Sequence, residues 1–363
     1  DLRLENHTRR LPDLWITLCY LFSSILSLVV LTSISPDRMP QQALMFLLGL
    51  LVYFYLSTQD DSVYKTLAPI GYLVAVILLV ATFIFGSSVR GSIRWIPLGS
   101  FQLQTGEFAK PLLTLAFAFF LRRFPVTSFK HLLLNTFLFL LPVALIFKQP
   151  DLGTALSVSS IWLAQIFVSG LSFYLIAAFS ALAVFALEYL PHFLHDYQLR
   201  RLETFVDPFR DPLGAGYNVI QSIIAVGSGG IFGKGLGHGT QSHLRFLPER
   251  HTDFIFASLA EELGFLGSLL VVLCLGALLY RLLYLATHTR SSSSRLLYIG
   301  VFGSIFFQTF INIGMNIGIA PVTGVTLPLI SYGGSSILAT AITLGVISSC
   351  ARADHTNSLI EIK

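Results

Sequence analysis

Four stretches of the sequence set chemically capable groups where apolar helices begin or end. The first is Asp253, in FLPERHTDFIF, at the point where a long polar segment meets an apolar run. A carboxylate at the mouth of an apolar span has its charged form disfavoured by desolvation and favoured by a nearby Arg or protonated His. That balance can poise a general base. His251 is a hydrogen-bonding neighbour for it, and Glu261 and Glu262 lie roughly 12 Å deeper along the following helix by helical rise. A plain N-cap is the alternative role for Asp253.

The second stretch is GSSVRGSIRWIPLGSFQLQTGEFAKP, residues 86–111. Glu107 and Lys110 are three apart, hence on one helical face and able to pair. They form either a structural ion pair or part of a cavity wall. Arg90 and Arg94 offer guanidinium forks that match phosphate oxygens, with Trp95 beside them as a further wall residue or an interface anchor. The third is KQPDLGTA, residues 148–155, where Asp151 is placed to cap a helix. The fourth is GIAPVTGVTLPLISYGGSS, residues 318–336, where Pro321, Pro328 and Gly333-Gly334 forbid a regular helix throughout. Ser331, Tyr332, Ser335 and Ser336 there are candidates for binding a sugar or diphosphate.

Other signals fail. GSGGIFGKGLGHGT has the look of a phosphate cradle, but Lys234 is followed by Gly235 rather than Ser or Thr, so it is not a P-loop. No nucleotide-driven mechanism is expected. Cys19, Cys274 and Cys350 show no metal-ligand spacing and read as packing residues. No protein metal site is expected, and no stripe of bases with interleaved aromatics points to nucleic acid.

The elements that must hold these groups are membrane helices. The chain has 363 residues, 54% hydrophobic and 12% charged, with mean hydropathy +0.74; a soluble domain carries roughly 25% charge. Apolar stretches of about 17–25 residues, the length that crosses the hydrocarbon, recur along its length. The expected fold is all-α, a polytopic integral membrane protein with about ten transmembrane helices forming one domain over residues 1–363. Spans are expected near 14–34, 41–57, 68–86, 107–121, 131–147, 153–170, 172–190, 255–287, 297–318 and 333–351. The fourth starts with polar residues and is expected to be tilted or shielded by protein. A large extracytoplasmic insertion, about 191–254, separates helices 7 and 8, and its apolar, Gly-rich NVIQSIIAVGSGGIFG reads as helix or re-entrant backbone on the membrane face.

Orientation follows from the short loops. Arg3, Arg9, Arg10, Arg122, Arg123, Lys130, Arg281, Arg290 and Arg295 fall on one side, which is therefore cytoplasmic and carries both termini. The first residue is Asp, so the N-terminus is not taken as complete, and no cleaved signal is expected. The two halves are unlike, which argues against an inverted-repeat transporter.

At these residues the chain resembles the SEDS family (shape, elongation, division and sporulation) of polytopic peptidoglycan glycosyltransferases. The likeness covers nearly the whole chain and is carried by DPLGAGYNVIQSIIAVGSGGIFGKGLGHGTQSHLRFLPERHTDFIFASLAEELGF and VTGVTLPLISYGGSS. The GTQS…FLPERHTDF wording is closer to the RodA, rod-elongation branch than to the FtsW, division branch. The resemblance implies a ten-helix fold that polymerises lipid II into a growing lipid-linked glycan, at the outer face of the bacterial cytoplasmic membrane, during elongation. It implies a class B penicillin-binding protein, a transpeptidase of the elongation machinery, as partner. The family's essential acid maps onto Asp253, its Arg-Trp motif onto Arg94 and Trp95, and its Glu…Lys pair onto Glu107 and Lys110. One departure is Gln104, Thr105, Gly106, where the family commonly has Gln-Pro-Ser.

The chemistry expected is inverting sugar transfer. Asp253 takes a proton from the acceptor's 4-hydroxyl, whose oxygen attacks the donor's anomeric carbon and expels undecaprenyl diphosphate. Leaving-group charge calls for cations, from Arg90, Arg94, Lys110 or a divalent ion such as Mg or Mn, a cofactor the sequence leaves undecided. Two other classes use the same groups: a flippase for lipid-linked precursors, which needs no base, and a non-catalytic scaffold for a penicillin-binding protein.

Overall fold

Apolar runs of helical length dictate the architecture. In the computed structural model, which describes residues 12–89, 92–99, 101–171, 196–244 and 246–360, nine of the ten expected spans are helices. They are α1 (Leu14–Ile34), α2 (Met39–Thr58), α3 (Asp61–Phe85), α4 (Thr105–Arg123), α5 (Phe129–Lys148), α6 (Leu152–Val168), α10 (Ile255–His288), α11 (Ser292–Asn316) and α12 (Gly334–Ile360). The seventh expected span, near 172–190, lies outside the described residues, as do Arg3, Arg9, Arg10 and Arg90. Among the described residues seven helices are long and apolar enough to cross a membrane, and α6 is a shorter apolar helix. The fourth span, α4, is an interior helix: Thr105, Gly106, Glu107, Lys110 and most of its apolar residues are buried, so protein rather than lipid surrounds its charges.

The helices are tied at both ends of the bundle. Asp13 caps α1, accepting from the Ile16 amide at 3.1 Å, and is clamped by Arg281 of α10, whose Nε and Nη2 lie 3.1 and 2.5 Å from Oδ2. At the other end Arg250 Nε donates to the Ile34 carbonyl at 3.1 Å, just before α10 begins.

An unforeseen antiparallel sheet follows α3, ordered β1 (Ser87–Val89), β2 (Ser92–Leu98), β3 (Phe101–Gln104). Leu98 faces Phe101 across the turn and Trp95 faces Gln104. SIRWIPL carries the β-branched and aromatic residues that suit a strand, and Gly99, at φ 64°, supplies the left-handed turn position that L side chains resist. The sheet runs directly into α4.

The insertion folds as α7 (Asp196–Val206), a turn at Pro208–Arg210, α8 (Tyr217–Ser228) and the short α9 (Thr240–His243). The glycine run after α8 is a helix splice. α10 breaks at Gly264 (φ 67°), which frees backbone groups that must find partners. The run supplies them: Lys234 and Gly235 amides donate to the Glu261 and Glu262 carbonyls at 3.0 Å, while Phe265 and Leu266 amides donate to Gly230 and Ile231 carbonyls at 2.9 and 3.2 Å. A Cβ at Gly233 would sit 2.1 Å from the Glu262 carbonyl oxygen.

Glu261 and Glu262, both fully buried, anchor the same segment. Glu261 accepts from Gln241 N, Ser242 N, Ser242 Oγ, Thr240 Oγ1 and Lys234 Nζ at 2.9–3.1 Å. Glu262 meets Ser33 Oγ at 2.6 Å and His243 Nε2 at 2.8 Å. These carboxylates hold the loop.

Candidate functional site

Asp253 stands two residues before the first residue of α10. The N-cap position of that helix is held by Phe254, and Asp253 precedes it. Asp253 borders two adjoining cavities of about 450 and 400 Å³. Arg94, Glu249, Asp253 and Gly324 line both.

The backbone under Asp253 is fixed from α11. Asn312 and Asn316, one turn apart, each donate a side-chain amide to the Asp253 carbonyl at 3.1 Å. Asn312 also reaches the Val325 carbonyl at 2.8 Å, and the Asn316 amide oxygen accepts from Ala257 N at 3.0 Å. Both asparagines are completely buried.

The sheet brings in the cation. Arg94 Nη1 lies 3.5 Å from Asp151 Oδ1, and its guanidinium stacks over the Trp95 ring at 4.3 Å. The Arg94 Nε is buried without a hydrogen-bond partner among the described residues. Asp151 does cap α6, accepting from Thr154 N at 3.2 Å, and also accepts from Gln104 Nε2 at 3.1 Å. One carboxylate thus orients the arginine, the hairpin and the helix. Trp95 lines the larger cavity, as a wall residue.

Glu107 also lines that cavity, and Lys110 is set behind it. The two pair at 2.8 Å, and Lys110 donates to Gln308 Oε1 at 3.0 Å. Lys110, one of the cations considered for the leaving group, is directed to its protein partners Glu107 and Gln308. Ser331, considered for sugar or diphosphate binding, is absent from the cavity walls, and its hydroxyl is engaged with backbone, accepting from Leu327 N and donating to the Thr252 carbonyl, both at 2.8 Å. Ser331 thus fastens the 318–336 segment beside Asp253, while Tyr332, Ser335 and Ser336 reach the wall.

His251 is buried at the cavity, its ring edge-on to Tyr332 at 5.7 Å. Burial, and then the nearby Arg38, push its pKa down to about 4, so it is neutral at neutral pH. It is a polar wall here rather than a cation. In the unusual position 105, Thr105 Oγ1 meets Thr82 Oγ1 at 2.6 Å, so the start of α4 is tied to α3 without a proline.

Several site residues were not foreseen. Arg38 lines the larger cavity and lies over the Tyr332 ring at 5.2 Å; Arg200 and Arg201 line the smaller one. Arg38 had a legible signal, being a base in a short loop on the side where bases are scarce. Asn312 and Asn316 had one too, as polar residues one turn apart in an apolar span. Among the described residues no group of three or more His, Cys, Asp or Glu could hold a metal by itself.

Comparison with known proteins agrees with this fold. A family model described as a cell cycle protein of FtsW, RodA and SpoVE type matches residues 11–356. The peptidoglycan glycosyltransferase MrdB of Escherichia coli K12 is 43% identical over 304 residues, 83% of this chain and 82% of that protein. A probable peptidoglycan glycosyltransferase FtsW of Haemophilus influenzae is 37% identical over 329 residues, 89% of this chain and 82% of that protein. A chain from a structure of a peptidoglycan synthase complex that coordinates polymerization and crosslinking superposes with TM-score 0.83 at 36% identity, covering 95% of this chain and 98% of that one. The rod shape determining protein RodA of Thermus thermophilus superposes with TM-score 0.72 at 31% identity, with the same coverage.

Proposed function

The chain belongs to the SEDS family, the FtsW, RodA and SpoVE cell cycle proteins, and from that premise we propose that it polymerises lipid II with Asp253 as general base. It is a multi-pass membrane protein and a peptidoglycan glycosyltransferase of RodA type. The observation that carries the finer reading is the meeting of two cavities at Asp253 and Arg94. Joining two lipid-linked saccharides requires room for one on each side of a single reacting centre.

The cavities differ in kind. The smaller adds Arg200 and Arg201 to Arg94, a set suited to a diphosphate. The larger is walled by amides and hydroxyls, including Gln41, Gln102, Thr154 and Ser336, a set suited to sugar hydroxyls. Asp253 removes the proton from the acceptor 4-hydroxyl as that oxygen bonds to the donor's anomeric carbon. The bond from that carbon to the diphosphate breaks on the opposite face, inverting the centre. Charge growing on the diphosphate is met by Arg94 and the smaller cavity's arginines. A magnesium ion is typically held by one or two carboxylates plus substrate phosphates. The carboxylates Asp253 and Glu249 fit that pattern only with substrate oxygens added, and such an ion would further neutralise the diphosphate.

The site end of the bundle reads as extracytoplasmic, with Arg122, Arg123, Lys130, Arg281, Arg290 and Arg295 at the other end and both termini there. A relative of this fold belongs to a peptidoglycan synthase complex, which supports a class B penicillin-binding protein of the elongation machinery as partner. The test is glycan polymerisation from lipid II by the purified protein and its partner. Asp253→Ala and Asp253→Asn should each lose roughly 10²–10⁴-fold in rate, the usual weight of a general base. Polymer formed within tenfold of wild type by a folded variant would remove Asp253 from the mechanism.

A further inference from the structure

A third cavity, of about 340 Å³, lies at the end of the bundle away from Asp253. It is enclosed by the starts of α3 and α11, the last turns of α4, and Cys350 of α12. On α4 the distance from Glu107 to Arg123 is about 24 Å by helical rise, so this cavity is separate from the reaction site. Three cations line it, Lys65, Arg122 and Arg123, and no carboxylate does. Lys65 pairs with Asp61, one turn earlier. Arg122 donates to Ser293 Oγ at 2.7 Å, and among the described residues neither Arg122 nor Arg123 pairs with an acid.

A second observation points to a ligand. Ser294, 1% exposed, also lines the cavity, and its hydroxyl is buried without a hydrogen-bond partner. Such a group is costly to leave unmatched. The deeper wall is apolar, with Leu115, Phe119 and Leu297. Clustered cations repel one another unless an anion joins them, and guanidinium forks match phosphate oxygens. Basic pockets between membrane helices near the headgroup level are suited to anionic lipids.

We propose that this cavity holds the headgroup of an anionic phospholipid, its phosphate between Arg122, Arg123 and Ser294 and its glycerol end against the apolar wall. The apolar wall favours a lipid over free phosphate. This site goes beyond the polymerase chemistry and does not depend on it.

The experiment uses the full protein reconstituted in nanodiscs of phosphatidylcholine with phosphatidylglycerol, then native mass spectrometry of retained lipid. Wild type should retain phosphatidylglycerol in preference to phosphatidylcholine. Arg122→Gln with Arg123→Gln should lower retention about five-fold per arginine, the weight of one basic residue at an anionic surface. Ser294→Leu, which fills the cavity without changing charge, should also lose it. Lys130→Gln, at the same end but outside the cavity, should retain it fully. If the double variant does not fold, Arg123→Gln, at an exposed position, carries the same comparison. Retention unchanged in the folded arginine variants, an equal loss in Lys130→Gln, no preference over phosphatidylcholine, or displacement of the lipid by inorganic phosphate would each overturn the proposal.

Discussion

Asn316 donates its side-chain amide to the backbone carbonyl of Asp253 at 3.1 Å. Asn312 reaches the same oxygen from one turn earlier. The acid is thus aimed through its main chain by two residues that touch neither cavity. Asn316→Leu should lower kcat by roughly 10–100-fold while KM changes little, because small misplacements of a reacting group are costly. Polymerisation rates across lipid II concentrations check this, and a change confined to KM would contradict the positioning role.

Arg94 is held by two contacts, with Asp151 and with the Trp95 ring. Lysine keeps the charge but loses the planar fork and the stack. If Arg94 meets the leaving diphosphate, Arg94→Ala should lose about 10²–10³-fold in kcat, as for loss of one preorganised charge-stabilising donor. Arg94→Lys should recover only part of that. Full activity in Arg94→Lys would show that charge alone suffices.

His251 gives a pH signature. Its folded pKa of about 4 lies below the ordinary value of 6.5, so between those values the unfolded chain binds more protons. Its contribution is therefore fully present above pH 6.5 and is lost as pH falls through that window toward 4. The loss amounts to at most about 3 kcal/mol. Thermal unfolding midpoints in detergent should fall on acidification, and His251→Gln should flatten that fall. Parallel pH curves for the two proteins would remove His251 as the source.

Gly233 is a backbone contact point. With φ 81° and a Cβ position 2.1 Å from the Glu262 carbonyl oxygen, Gly233→Ala must push the loop off the α10 break. The cost should be about 1–3 kcal/mol or more, read as a lower unfolding midpoint at fixed scan rate. A neutral substitution would mean that the splice is not needed to hold the break.

Much of the fold was legible because its signals are local. Nine spans were marked by apolar runs, and the Glu107–Lys110 pair by its spacing. Asp253 stood out because a carboxylate at an apolar boundary is rare. What was not legible depends on distant parts of the chain meeting. Arg38 joins the wall only because the end of α1 and the start of α2 lie beside the 318–336 segment. The glycine run declared its backbone freedom but not its use, since the break at Gly264 appears only when α10 is built. Ser331 was chosen for its hydroxyl, and nothing in ISYGGSS tells which serine turns toward backbone and which toward the cavity. The sheet was hidden because its strands are short and interrupted by Pro97 and Gly99.

Ser335 accepts from the Gln104 amide at 3.1 Å and donates to the Gln102 carbonyl at 3.2 Å, stitching β3 to the start of α12. β3 in turn is zipped to the strand that carries Arg94. The arginine strand and the rim of α12 are consequently one mechanical unit, joined through β3 with no flexible segment between them.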